Sequence, residues 1–425
     1  MTTLIKSVLI LDSTSSFYKK KVDLRIQDGV LQEIAENINH ETNQEIIEGK
    51  ELVFIPGIYD LRVHNTLPGG EHRESWETLV SAAKAGGVQG VQLLPTGNPA
   101  PQTAEQIQFI SKLSTVHGID LIPMAPLTLD NKGENFTDLI DLFHAGARGF
   151  SHAGGSLQNT DLFLKCLQYL ITQPVTIFTQ ADSGSLSLFG QINEGIQSTL
   201  TGLKGIPELS ETLAIKRDID LLTYVLHNSF GNEHKEFALH FYCISSKESL
   251  RLIQEAKEKG LPITCSVAAH QLIFDENIVE SFDTNTKVFP PYRTKEDKEA
   301  LCQGILDGSI DVIVSDHHPV EVELKDIEFD HASFGVIGLQ TILQASFESF
   351  KSKDYSKVVK ALVDNPKKIL KVTQDVLKVN GKVFGTILDT KDSSKFTIEQ
   401  IKSNSKNSAF LDYQFKSKII KTFSA

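Results

Sequence analysis

Four cysteines are few for a chain of 425 residues, and Cys166, Cys243, Cys265 and Cys302 lie too far apart for any Cys-x-x-Cys pair. That excludes the spacing of a cysteine-rich zinc site or a dithiol redox centre, and predicts free thiols in a reducing compartment. Long apolar runs are missing as well; none approaches the roughly 18–20 residues of a membrane span. The opening stretch "MTTLIKSVLILDSTSSFYKKK" has no small-residue cleavage site, and its Leu4, Ile5, Val8, Leu9 and Ile10 suit a β-strand. A cytoplasmic chain without a membrane partner is the expectation. Positive charge is the scarcer sign: 42 Lys and Arg stand against 54 Asp and Glu, for a net charge of −12. Without a long basic run, a nucleic-acid partner is excluded, because phosphate backbones need clustered cations. The lysines of "FYKKKVD" read as a solvated edge. No G-x-G-x-x-G follows the first strand, and no serine marks a strand-to-helix nucleophile turn.

What is present is an ordinary globular balance, 40% hydrophobic and 23% charged. The length exceeds one common compact domain unless that domain is an α/β barrel. Residues 1–53 read as short strands and turns, with "QDG" as a hairpin signal. From residue 54 the texture changes. Apolar runs such as "VQGVQLLP", "PVTIFTQ", "LPITCSVAAH" and "IDVIVSDHH" alternate with helical patterns such as "AEQIQFISKLSTVHG" and "SSKESLRLIQEAKEKG". After about residue 375, strand-like segments return. These observations predict a (β/α)8 TIM-like barrel over 54–374, carrying a small β-sandwich made from 1–53 and 375–425.

In such a barrel, chemistry gathers at the C-terminal ends of the strands. The first end offers Asp60, Arg62 and His64 in "IYDLRVHNTLPGGEH". Later ends offer His152, then Gln180 with Asp182, His240 with Cys243, His270, and the trio Asp316, His317 and His318. The bland reading is that His240 and His270 are buried and satisfied locally, and that "SDHHPVE" is strand-end packing. "TGNPAPQT", with its prolines and glycine, reads as a loop rather than a phosphate cradle.

The order and spacing of these blocks resemble the dihydroorotase family of the amidohydrolase superfamily, in particular the type that associates with aspartate transcarbamoylase. "FIPGIYDLRVHNTLPGGEHRESWETLVSAAKAGGV" is similar to the family's P-G-x-x-D-x-H-x-H-x-R-x-P-G block. "GIPELSETLAIKRDIDLL" is similar to its G-x-P-x-x-A-E helix, with Glu211 at the acidic position. "FPPYRTKEDKEAL" resembles N-P-P-L-R, and "LDGSIDVIVSDHHPVE" resembles D-G-x-I-D-x-I-A-T-D-H-A-P-H.

The resemblance implies two zinc ions held by a His-x-His pair, a bridging acid or carboxylated lysine, two further histidines and an aspartate. Against that pattern Arg62 replaces the first histidine, and His152-Ala153-Gly154 stands at the acidic stretch. Gln180 and Cys243 replace the two later histidines, and His64 and Asp316 alone are unchanged. The residues implied to grip a substrate carboxylate are replaced by Thr66, Thr96 and Val320. Asp316 keeps the family's proton-shuttle position, idle without a metal-bound water. Arg62 brings a permanent cation to a metal position, which predicts an Arg62–Asp316 salt bridge. The expectation is therefore a catalytically inactive relative with no metal cofactor, homo-oligomeric and partnered with aspartate transcarbamoylase. Two rivals stand beside it. One is an active cyclic amidohydrolase with a single zinc on His64, His152, Cys243 and Asp316; the other is a binder of a different small molecule.

Overall fold

The computed structural model describes residues 2–153, 155–228, 236–350, 354–373 and 377–424. Eight parallel strand positions follow one another: Ile58–His64, Val88–Leu94, Asp120–Pro123 continued by Ala125–Pro126, Gly149–Ser151, Thr176–Gln180, Ala238–Tyr242, Ile263–Ala268 and Val312–Val314. A parallel bridge between Val63 and His317 joins the first position to the end of the last, and closes the ring. All seven residues of Ile58–His64 are buried, as expected of a strand covered on both faces.

Helices on the outside begin where the sequence supplies caps. Helix α1 (Trp76–Ala85) starts at Ser75, whose hydroxyl accepts the Thr78 amide while the Thr78 side chain returns to the Ser75 amide. Helix α2 (Ala104–His117) starts at Thr103 with the same reciprocal arrangement and stops at Gly118, whose φ of 68° is the left-handed turn a glycine adopts without strain. Among the described residues, no helix is long and apolar enough to cross a membrane.

The chain ends meet in a separate seven-stranded sheet. Thr2–Ile10 lies between Lys21–Gln27 and Leu52–Pro56; beyond Leu52–Pro56 come Gly385–Asp389 and then Lys418–Phe423. Strand alternation gives this sheet two different faces. Ile5, Val8, Ile10, Leu24, Phe54 and Ile387 form its own core, while Val53, Ile55 and Leu388 point the other way into the barrel's core.

Two expectations need correction. The end sheet extends through Pro56, past the expected boundary at residue 53, because Gly385 pairs with Pro56 itself. The C-terminal segment does not go wholly to that sheet: Phe396, Ile401, Phe410 and Phe415 bury themselves in the barrel core. Gln344, on the helix Ile342–Ser349, fixes that return by donating to Ser394 Oγ and to the Ser417 carbonyl, both at 2.8 Å. The expected boundary at 374/375 lies outside the described residues.

Candidate functional site

Asp60 ties the first strand to the last. Its carboxylate accepts the Arg62 amide at 3.1 Å and the Ser315 amide at 3.2 Å. Burial pushes this carboxyl up to about 6, against the pull of those hydrogen bonds. The staple sets Arg62 and Asp316 facing each other across the mouth of the barrel.

Arg62 then bridges two strand ends. Its Nε donates to Asp316 Oδ1 at 2.5 Å, and its Nη2 donates to Gln180 Oε1 at 2.8 Å. The Gln180 amide passes the network on by donating to the Phe289 carbonyl at 3.1 Å. Beneath the guanidinium lies the Tyr242 ring, 4.9 Å from its central carbon, with the Tyr242 hydroxyl donating to the Leu61 carbonyl. Burial alone would raise the Asp316 carboxyl, but the Arg62 charge beside it holds it well below the usual carboxylate range. The expected Arg62–Asp316 pair is present as a direct contact, and both partners are buried.

The remaining ligand positions do not converge. The His64 ring stacks on His318 with centroids 3.8 Å apart and planes 2° from parallel. Burial, then the neighbouring His318 and Arg62 charges, push His64 well below its ordinary value, and burial pushes His318 down to about 4. His152 stands apart, with Nδ1 3.3 Å from the Thr128 hydroxyl; Gly154 of the same stretch lies outside the described residues. Cys243 is buried in left-handed backbone (φ 43°), and burial pushes its thiol well above its ordinary value, away from the thiolate that binds metals. Among the described residues, no group of three or more His, Cys, Asp or Glu side chains is arranged to hold a metal ion. A divalent cation does not fit here: a guanidinium sits between two of the family's ligand positions and uses their oxygens itself.

The substrate-clamp positions have turned to the backbone. Thr96 donates to the Asn65 carbonyl at 2.8 Å and Thr66 to the Glu74 carbonyl at 3.3 Å. Val320 is a buried apolar side chain whose amide is held by Asn407. None brings a positive charge.

His240 meets the expectation of local satisfaction by half: Nδ1 lies 2.8 Å from the Thr264 hydroxyl, whereas the buried Nε2 has no partner among the described residues. His270 corrects the expectation of local satisfaction: it is buried, yet neither ring nitrogen has a hydrogen-bond partner among the described residues, and Asp316 Oδ2 lies 3.7 Å away. The Tyr292 hydroxyl and Gln271 Oε1 are likewise unpartnered, with the Tyr292 ring edge-on to His270 at 5.4 Å.

His317 uses both nitrogens structurally. Nδ1 accepts the Gly338 amide, and Nε2 lies 3.1 Å from Glu74, which also takes hydroxyl protons from Thr78 and Ser403. Asp182 accepts from the Ser187 hydroxyl, and Glu211 from the Ser245 amide beside Arg293. Sequence reasoning missed Glu74, which sits in a polar turn with nothing to mark it, and the ring of Tyr242, visible next to Cys243 but read as strand core.

A family described as "Dihydro-orotase-like" matches residues 51–249. The dihydroorotase of Geobacter metallireducens is 31% identical to this chain over 98% of its length and 96% of the relative's. That of Bacillus pumilus is 35% identical over 86% of this chain and 82% of the relative. Among solved structures, the L-hydantoinase (dihydropyrimidinase) from Arthrobacter aurescens is similar with a TM-score of 0.79 at 19% identity, covering 99% of this chain and 94% of that one. A D-hydantoinase gives 0.77 at 18% identity, covering 99% and 93%. These two likenesses show that the chain shares the barrel fold of those hydantoinases.

Proposed function

Because the chain belongs to the dihydroorotase family, we propose that it is a catalytically silent dihydroorotase-like protein of pyrimidine biosynthesis, kept as a structural partner of aspartate transcarbamoylase in a homo-oligomeric assembly. The observation that carries the silence is the double contact of Arg62, to Asp316 and to Gln180. Hydrolysis of a cyclic amide at neutral pH needs a strong nucleophile and an electrophile on the carbonyl oxygen. Here the acid that would move the proton is fixed as the counter-ion of a guanidinium. The carboxylate clamp is lost independently at Thr66, Thr96 and Val320, and two unrelated losses in one pocket reinforce each other. The partnership rests on resemblance to the transcarbamoylase-associated type, together with an intact barrel core that a surface role would preserve.

The test is metal content per chain on protein purified without chelator, a dihydroorotate hydrolysis assay with added zinc, and co-purification with a transcarbamoylase. Sub-stoichiometric metal, no turnover and a stable complex are expected. One tightly held zinc per chain with turnover would overturn the silent reading in favour of an atypical amidohydrolase. Loss of the complex alone would leave the silent pocket and remove the partner.

A further inference from the structure

Between the N-terminal ends of helices α1 and α2, on the side of the barrel mouth, lies a groove of about 530 Å³. We propose that it is a docking site for a segment of a partner protein carrying a proline or aliphatic anchor flanked by arginine or lysine. The inference does not depend on whether the barrel pocket is silent.

The floor of the groove is apolar: Trp76, Phe109, Ile110, Pro99 and Pro101 supply most of it. Phe109 is an exposed aromatic on its helix, which also leaves Val116 exposed toward its far end. α2 buries Ile107 and Ile110 against the barrel, whereas Phe109 is 58% exposed. A phenylalanine held in water over a concave apolar surface loses burial energy that a docked side chain would recover.

The rim has one sign of charge. Glu71, Glu77 and Glu105 line the groove, all three exposed, and no lysine, arginine or histidine lines it. Their carboxylates are held in place: Glu71 accepts the Gly69 amide at 3.1 Å and Glu77 the Ser75 hydroxyl at 2.9 Å. None of the three has an ion-pair partner among the described residues. A second copy of this chain, net −12, would bring more negative charge to an acidic rim, so self-association is disfavoured there. An aromatic and proline floor with an acidic border is the chemistry that recognises extended proline-containing segments with basic flanks. The volume lies within the roughly 300–1,000 Å³ of ordinary binding pockets.

The groove contains its own reporter, since Trp76 is the only tryptophan of the chain. The experiment selects displayed random peptides on the immobilised full-length protein and, in parallel, on a Phe109→Ser/Glu105→Lys variant, both exposed positions whose change leaves the core intact. Selected peptides are expected to combine Arg or Lys with Pro or an aliphatic residue such as Leu. A synthetic copy should shift Trp76 emission and bind the variant at least about tenfold more weakly, with Glu105→Asp close to wild type. Its affinity should also fall with added salt. No enrichment, binders without a basic residue, binders held equally by the variant, or no response of Trp76 would each overturn the proposal. A change of oligomeric state in the variant would overturn it too, by assigning the groove to a second copy.

Discussion

Arg62 and Asp316 are 254 positions apart in sequence and 2.5 Å apart in space, and each is the other's charge partner in a buried barrel mouth. A guanidinium there needs a carboxylate as much as the carboxylate needs a cation, because neither can be left alone away from water. The pair therefore accounts for why the pocket is polar and still stable.

Breaking that pair from one side is expected to be costly. Arg62→Leu should destabilise the fold by about 3–5 kcal/mol, since it strands a buried carboxylate. Adding Asp316→Leu should recover a large part of the loss. Urea denaturation of the two single variants and the double variant measures the coupling; single and double losses that simply add would show that the contact does not matter in solution.

The contribution of His240 to stability should fall as pH drops from about 6.5 toward 4. His240 is fully buried and pushed down to about 3 by burial, with help from the Lys257 and Arg62 charges, so the unfolded chain binds the proton first. Through this group alone, unfolding is favoured by about 1.4 kcal/mol per pH unit in that window. Asp60, raised to about 6, acts in the opposite sense, because its folded form takes up the proton first. The check is denaturation at several pH values for the wild type and His240→Asn. The variant should show a shallower pH slope, and an unchanged slope would sink the assignment.

Restoring the ligand set should separate the two losses in the pocket. A triple variant, Arg62→His with Gln180→His and Cys243→His, is expected to gain zinc, read by metal analysis and by a zinc-dependent rise in Tm. It should still fail to hydrolyse dihydroorotate, because Thr66, Thr96 and Val320 supply no cation for the substrate carboxylate. Turnover in the triple variant would show that the clamp positions do not limit activity.

The Glu74 network joins the C-terminal return to the barrel through His317 and Ser403. Glu74→Leu leaves both unpaired in a buried place and should cost about 2–4 kcal/mol. Ser403→Ala removes one of the donors to Glu74 and leaves the others in place, and should cost about 1 kcal/mol. Equal effects would mean that the network is not centred on Glu74.

The barrel was legible in the sequence because its causes are local. Buried strands such as "IYDLRVH" and capped helices such as "SWETLVSAAKAGG" write their period and their ends into neighbouring residues. The identity of the altered site positions was legible as well, since Arg62, Gln180 and Cys243 stand at strand ends whose order is fixed by the chain. Of what those residues do to one another, the Arg62–Asp316 pair was legible and the rest was not. That Gln180 turns its carbonyl to Arg62, that His64 stacks on His318, and that His270 has no hydrogen-bond partner among the described residues depend on distances between strands far apart in sequence. The same holds for Phe396, Ile401, Phe410 and Phe415, which a sequence reading assigns to the end sheet and the fold buries in the barrel. Sequence alone determined the periodic elements and the residue at each strand end, because those are properties of short stretches. Beyond the Arg62–Asp316 pair, the tertiary structure alone decided which charges, rings and apolar side chains share a space, because burial and pairing are properties of the closed barrel.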